Sequence, residues 1–108
     1  MTPREVVEQL PDLFQPEVAG KTKLTVQLEL TGDGGGLWWV AIAGGQCTVG
    51  AGPAAKPDLT LTVDAADYVR IRCGELDPAA ATMNGRMRVE GGYGRAVRFA
   101  KLFRPARW

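Results

Sequence analysis

Two cysteines, one arginine among apolar neighbours and two glycine-rich stretches are the residues of this 108-residue chain whose type and spacing bear on chemistry. Cys47 and Cys73 fall in what read as a strand and a helix. In a reducing compartment such thiols stay free and pack as small hydrophobes. Cys73, next to Arg72, is the candidate for an activated thiolate, which needs a neighbouring cation or base. The sequence has no histidine, and so lacks the usual general base near neutral pH and the commonest metal ligand. Two cysteines alone do not make a zinc site, and the carboxylates do not gather at ligand spacing. Gly32 to Gly36, and Gly91-Gly92-Tyr93-Gly94 at the start of a helix, could turn backbone N–H groups toward an anion such as a CoA or phospholipid head group. Neither has the lysine of a phosphate loop, and ordinary turns account for both. These residues point to a protein that is not an enzyme and needs no metal or cofactor.

The elements that hold them follow from pattern. Thr2-Pro3-Arg4-Glu5 is a capping box with proline at the first helical position, so a helix is expected to about Leu10, where Pro11 kinks or ends it. Leu13 and Phe14 anchor a short further turn. From Lys23 the period becomes two, with Leu24, Val26, Leu28 and Leu30 alternating with Thr25, Gln27, Glu29 and Thr31, a strand with one buried face. Glycine turns at Gly32 to Gly36 and at Gly44-Gly45 separate it from strands over Leu37 to Ala43 and Gln46 to Gly50, an antiparallel meander. A loop leads to a fourth strand, Asp58 to Asp64. Asp64 caps a helix that Gly74 stops, and Asp77-Pro78 opens a short one to Met83. Arg86 to Glu90 is a fifth strand, and a last helix runs from Tyr93 to Phe103. This is an α+β plan, with helices on one face of a single sheet.

Two residues sit awkwardly in that plan. On the helix after Asp64, Ala66, Val69, Cys73 and Leu76 make the face expected in the core, and Arg72 falls between Tyr68 and Val69. Its stem can pack while its head reaches water. Alternatively, its head meets a ligand carboxylate at the mouth of a ligand tunnel, with Tyr68 donating a hydrogen bond. Trp39 alternates to the face opposite Trp38, where it is either covered by a neighbour or forms a self-association surface and so a homodimer.

Length alone argues for one domain, 1–108. Net charge is +1, but residues 1–54 carry three basic and six acidic side chains and residues 55–108 ten and six. No run of about 20 apolar residues suggests a membrane span, and the N-terminus has no signal-peptide zones. A cytoplasmic location and no nucleic-acid partner are the expectations.

Three stretches together resemble the sterol carrier protein (sterol-binding domain) family. They are Gly32-Asp33-Gly34-Gly35-Gly36-Leu37-Trp38 with Val40, Ile42, Gly45, Cys47 and Val49; Pro57 to Val63 leading into Asp67-Tyr68; and Gly74, Leu76, Asp77-Pro78, then Met83 to Val89 and Gly91. The likeness runs from about Phe14 to Phe103, and its order and spacing, more than any one motif, make it specific. It implies a five-stranded sheet ordered 3-2-1-4-5 with helices on one face, enclosing an apolar tunnel for a fatty acid, acyl-CoA, sterol or phospholipid. It implies no shared catalytic residues, and the family also occurs as a module within larger enzymes. Arg72 departs from it, since the family usually has an apolar residue there.

An acyl cavity needs many methyl and methylene groups and few buried polar atoms. The inward residues Val26, Leu28, Trp38, Val40, Ile42, Leu61 and Val63 supply the former, together with Met83 and Met87, which adapt to ligand shape. A filled core would use the same stripes. Tyr68 and Arg72 complete the candidate ligand site, and Phe99 and Phe103, with Ala96 and Ala100, give the last helix an apolar face that makes it a lid. Arg95, Arg98, Lys101 and Arg104 lie on its other arc as a surface for transient docking on anionic membranes, where each adds about 1 kcal/mol. The function that the resemblance implies, and that these features agree with, is lipid binding and transport between membranes or enzymes. The alternatives are a protein-interaction or dimerisation module and, more weakly, a small biosynthetic enzyme using the same pocket.

Overall fold

A computed structural model describes residues 2–106. The capping box forms: Glu5 N–H donates to Thr2 Oγ1 at 3.2 Å and Thr2 N–H to Glu5 Oε1 at 2.9 Å. Helix α1 (Pro3–Glu8) therefore starts where the sequence places it, and ends two residues earlier than expected. Pro11 does not stop the chain from turning. It occupies the second position of α2 (Leu10–Leu13), where it has no intrahelical bond to lose. A third turn, α3 (Pro16–Ala19), was not expected and begins on the same signal, Pro16 at its first position.

The meander follows as β1 (Leu24–Thr31), β2 (Gly36–Ala43) and β3 (Gln46–Ala51). Next come β4 (Leu59–Asp64), α4 (Ala65–Arg72), α5 (Pro78–Met83), β5 (Met87–Glu90) and α6 (Tyr93–Lys101). The sheet order is β3-β2-β1-β4-β5, as the resemblance implied. Every neighbouring pair is antiparallel except β1 and β4. Register carries the apolar stripe across all five strands: Val26 lies beside Val40 and Val40 beside Val49, while Leu28 lies between Trp38 and Leu61, and Leu61 beside Val89.

A parallel β1–β4 pair obliges the chain to cross from the far edge, β3, back over β2 and β1. The crossing segment, residues 52–58, is tied down at three points. Gly52 N–H donates to Leu37 O at 2.9 Å, Ala54 N–H to Gln27 Oε1 at 2.6 Å and Asp58 N–H to Thr25 O at 2.8 Å. Gln27, expected on a solvated face, is thus 6% exposed, and its amide also donates to Trp38 O at 3.0 Å.

Helices cover the other face. Val6, Val7, Leu10 and Phe14 join the strand residues in one core, with α1 against α4 and α2 against β3. The end of the chain closes on its beginning: Gln15 N–H donates to Leu102 O at 2.8 Å and Arg104 N–H to Leu13 O at 2.9 Å. Phe103 meets Phe14 at 5.7 Å between ring centroids and Phe99 at 5.2 Å.

Candidate functional site

The N-terminal turns fill only part of the space between sheet and helices. Toward β4 and β5 it stays open, as a cavity of about 300 Å³ bounded by α4, α5 and α6. Leu61 and Met87 form its floor, Tyr68, Ile71 and Arg72 one wall, and Ala96, Phe99 and Phe103 its roof. Asp64 begins the wall helix by accepting from Ala66 N–H at 2.9 Å. Asp77 begins α5 by accepting from Ala80 N–H at 3.2 Å. Small residues keep the volume open: Ala79 and Ala100 border it where larger side chains would fill it. The mouth lies between α5 and α6, rimmed by exposed residues including Tyr93 (50% exposed) and Lys101.

Two polar groups stand in this apolar wall. Tyr68 is 3% exposed and its hydroxyl has no hydrogen-bond partner among the described residues. Burial pushes its pKa up to about 12, against the opposing pull of the Arg72 charge. Arg72 is 9% exposed. Its Nη2 donates to Arg104 O at 2.6 Å and its Cζ stands 5.5 Å from the Phe103 ring centroid, a cation–π contact. Its Nε is buried without a partner. No carboxylate pairs with it among the described residues, whose ion pairs are Arg4–Glu8, Asp67–Arg70 and Asp67–Arg86.

The buried face of α4 therefore differs in part from the expected one, since Val69 and Leu76 do pack against the core. Ala65, Tyr68 and Arg72 point inward and Ala66 is exposed. The Arg72 side chain is largely covered, at 9% exposure, with the segment after α6 against its head. That segment holds Arg72 from both sides, with Ala106 N–H donating to Arg72 O at 2.7 Å.

Of the residues read as ligand-binding, Leu61, Tyr68, Arg72, Met87, Phe99 and Phe103 meet around the cavity. Val26, Leu28, Val40, Ile42 and Val63 do not border it and are fully packed, at 0–2% exposure. Trp38 is half-buried against the same core. Met83, at the end of α5, is 87% exposed and points away from the lining.

Three of the four cations read as a membrane-docking arc reach back onto the chain. Arg95 donates to Gly91 O at 3.1 Å. Arg98 donates to Val18 O and to Thr22 Oγ1, at 3.1 and 3.0 Å. Arg104 donates to Asp12 O at 3.1 Å. Lys101 differs, bordering the cavity mouth.

A model of the SCP-2 sterol transfer family matches residues 7–104, nearly the whole described chain. The chain belongs to the SCP-2 sterol transfer family. It is 27% identical over 100 residues to hydroxysteroid dehydrogenase-like protein 2 of Xenopus tropicalis, a match covering 92% of this chain and 24% of that one. Its fold is similar to part of a stereoselective inverting sec-alkylsulfatase from Pseudomonas sp., at TM-score 0.84 and 19% identity, covering 95% of this chain and 16% of that one. It is also similar to a palmitated sterol carrier protein 2 like 2 from Aedes aegypti, at TM-score 0.73 and 24% identity, covering 94% and 93%. The chain thus spans about a fifth to a quarter of the length of the curated relatives it matches.

Within this SCP-2 family fold, sequence reasoning missed Leu10, Ile71 and the α5 side of the cavity, Pro78, Ala79 and Thr82. Only Pro78 and Ala79 carried a signal, as the start of a short helix between β4 and β5. The thiols stand apart from the lining. Cys47 is half-buried on β3, and burial raises its pKa to about 11, which keeps it protonated and unreactive at neutral pH. Among the described residues no three metal-ligating side chains come together, and no helix is long and apolar enough to cross a membrane.

Proposed function

We propose that the chain binds the apolar part of a small lipid in the cavity between β4–β5 and α4–α6, and releases it to membranes or enzymes. One observation carries this reading: a partly open cleft of about 300 Å³ with mainly aliphatic and aromatic walls lies between the sheet and helices α4, α5 and α6. Protein interiors are otherwise close-packed, and a void of this size reaches the lower end of known ligand pockets. Burying an acyl chain there yields about 25 cal/mol per Å² of surface removed from water. Fatty acid, acyl-CoA, sterol and phospholipid are the candidate classes, and the palmitated mosquito relative supports an acyl ligand. The cavity walls offer no nucleophile with a base beside it, and Tyr68, at about 12, cannot act as a base near neutrality, which favours binding over catalysis.

A second reading rests on the relatives. In hydroxysteroid dehydrogenase-like protein 2 and in the sec-alkylsulfatase, a stretch like this chain is a fraction of a longer one. A lipid-binding module can there hold an apolar substrate near a catalytic domain.

Native mass spectrometry of the purified protein, with solvent extraction of whatever it carries, tests the main reading. A fluorescent fatty acid is expected to bind at one site and be displaced by natural lipids. If no fatty acid, sterol or phospholipid binds below about 100 μM, equivalent to about −5.5 kcal/mol, the carrier function is excluded.

A further inference from the structure

Resting on that reading, we infer that Arg72 and Tyr68 form an anion-receiving subsite at the inner wall of the cavity, so that the ligand is a carboxylate-bearing amphiphile lodged with its head inward. The orientation follows from where the polar groups lie. The rim is exposed, while Tyr68 and Arg72 are 3% and 9% exposed on the α4 wall, among Leu61, Phe99 and Phe103.

Both groups are left incomplete by the protein itself. The Tyr68 hydroxyl and Arg72 Nε are buried without partners among the described residues. Unpaired polar atoms in an interior are costly and rare, and each calls for a reason. Ring contact with Phe103 and one hydrogen bond to Arg104 O hold the guanidinium in place without neutralising it. A buried charge is normally paired. Asp77 also borders the cavity, but it lies exposed on the rim, caps α5 and makes no ion pair with Arg72.

The missing partner can therefore come with the ligand. A guanidinium offers its Nε–H and Nη–H groups as a planar fork that fits a carboxylate, and one buried cation balances one negative charge. Tyr68, a donor that stays protonated, can supply a further bond to the same head. A phosphate dianion would need a second buried cation, and the other cation of the lining, Lys101, is out at the mouth. A neutral sterol or alcohol would leave the charge unpaired.

The probes are dodecanoate, methyl dodecanoate and dodecanol, titrated by calorimetry into the wild-type chain and into Arg72→Gln, Tyr68→Phe and Lys101→Gln. Glutamine keeps a donor for Arg104 O while removing the charge. Wild type is expected to bind dodecanoate at least tenfold more tightly than the ester or the alcohol. The acid-to-ester ratio is expected to fall to near one in Arg72→Gln and severalfold in Tyr68→Phe. Equal binding of all three probes to wild type would overturn the subsite and leave the carrier function standing. Loss of the ratio in Lys101→Gln but not in Arg72→Gln would place the head at the mouth and overturn the orientation. If wild type binds none of the three, the subsite is overturned, and the carrier function fails only if sterol and phospholipid are also refused.

Discussion

The indole of Trp39 lies over Gly50, its cross-strand partner, so closely that a Cβ on Gly50 would stand within 2.8 Å of Nε1 and nearer still to the ring carbons. The outer face of β2 and β3 is thus closed by a tryptophan seated on bare backbone, with Pro53 and Ala54 beside it. Coverage of Trp39 comes from its own chain. Gly50→Ala would force the ring off this seat. The expected result is a loss of about 1–3 kcal/mol, as for overpacking elsewhere, read as a lower urea midpoint. Trp39→Leu in the same background is expected to recover much of it.

Alkaline pH is expected to weaken the fold through Tyr68. Folded, it keeps its proton to about pH 12, while an exposed tyrosine loses it near 10. Between those values the unfolded chain binds fewer protons, so stability falls as pH rises. At about 1.4 kcal/mol per unit the loss is of the order of 2–3 kcal/mol. Cys47, raised to about 11, acts in the same direction from about pH 9. Urea midpoints at pH 8 and 11 check this. Tyr68→Phe is expected to flatten the dependence and, by removing an unpaired buried hydroxyl, to leave neutral-pH stability unchanged or slightly higher.

Strand order and helix placement were legible because the signals were local or carried by the family likeness: the two-residue period from Leu24, the caps at Thr2, Asp64 and Asp77, the glycine turns. What was not legible depended on which parts of the chain meet. Nothing near Gln27 in sequence shows that residues 52–58 will cross over it. Periodicity identified Val26, Val40 and Ile42 as inward-facing, but whether an inward residue meets a void or another side chain depends on helix lengths. Here Val6 and Val7 join Val26, Val40 and Ile42 in one packed core, while the cavity borders Leu61 and Met87 on the β4–β5 side. Arg72 was conspicuous as an arginine among apolar positions. Its burial was not, since the residues that cover it, Phe103 to Ala106, lie more than thirty positions away.

Among the described residues, the basic arc along and after α6 divides into cations that bond back onto the chain and Lys101, which does not. Arg98 holds the α3 turn through Val18 O and Thr22 Oγ1, so Arg98→Ala is expected to lower stability by about 1 kcal/mol. Lys101 makes no such side-chain bond and stands at the cavity mouth. If the mouth faces the membrane during transfer, Lys101→Gln removes about 1 kcal/mol of attraction to an anionic surface, about fivefold in landing. The measurement is fluorescent fatty acid transfer to vesicles with and without phosphatidylserine. The expected slowing is confined to the anionic vesicles and disappears at high salt.

Filling the cavity from its rim separates binding from folding. Ala100 is exposed on α6 yet borders the void, so a larger side chain there can swing into the mouth without displacing a packed residue. Ala100→Trp adds an indole that can occupy much of 300 Å³. As a substitution at an exposed position its effect on stability is expected to stay within about 0.5 kcal/mol, or to be favourable where the ring buries itself. Affinity for dodecanoate is expected to fall at least tenfold, because ligand and indole compete for one volume. Ala66→Trp is the matched control, since Ala66 is exposed on α4 and does not border the cavity. Its affinity is expected to stay within twofold of wild type. If Ala100→Trp bound dodecanoate as tightly as wild type while remaining folded, the ligand would have to lie elsewhere. The space between β4–β5 and α6 would then be a packing defect without a role in transport.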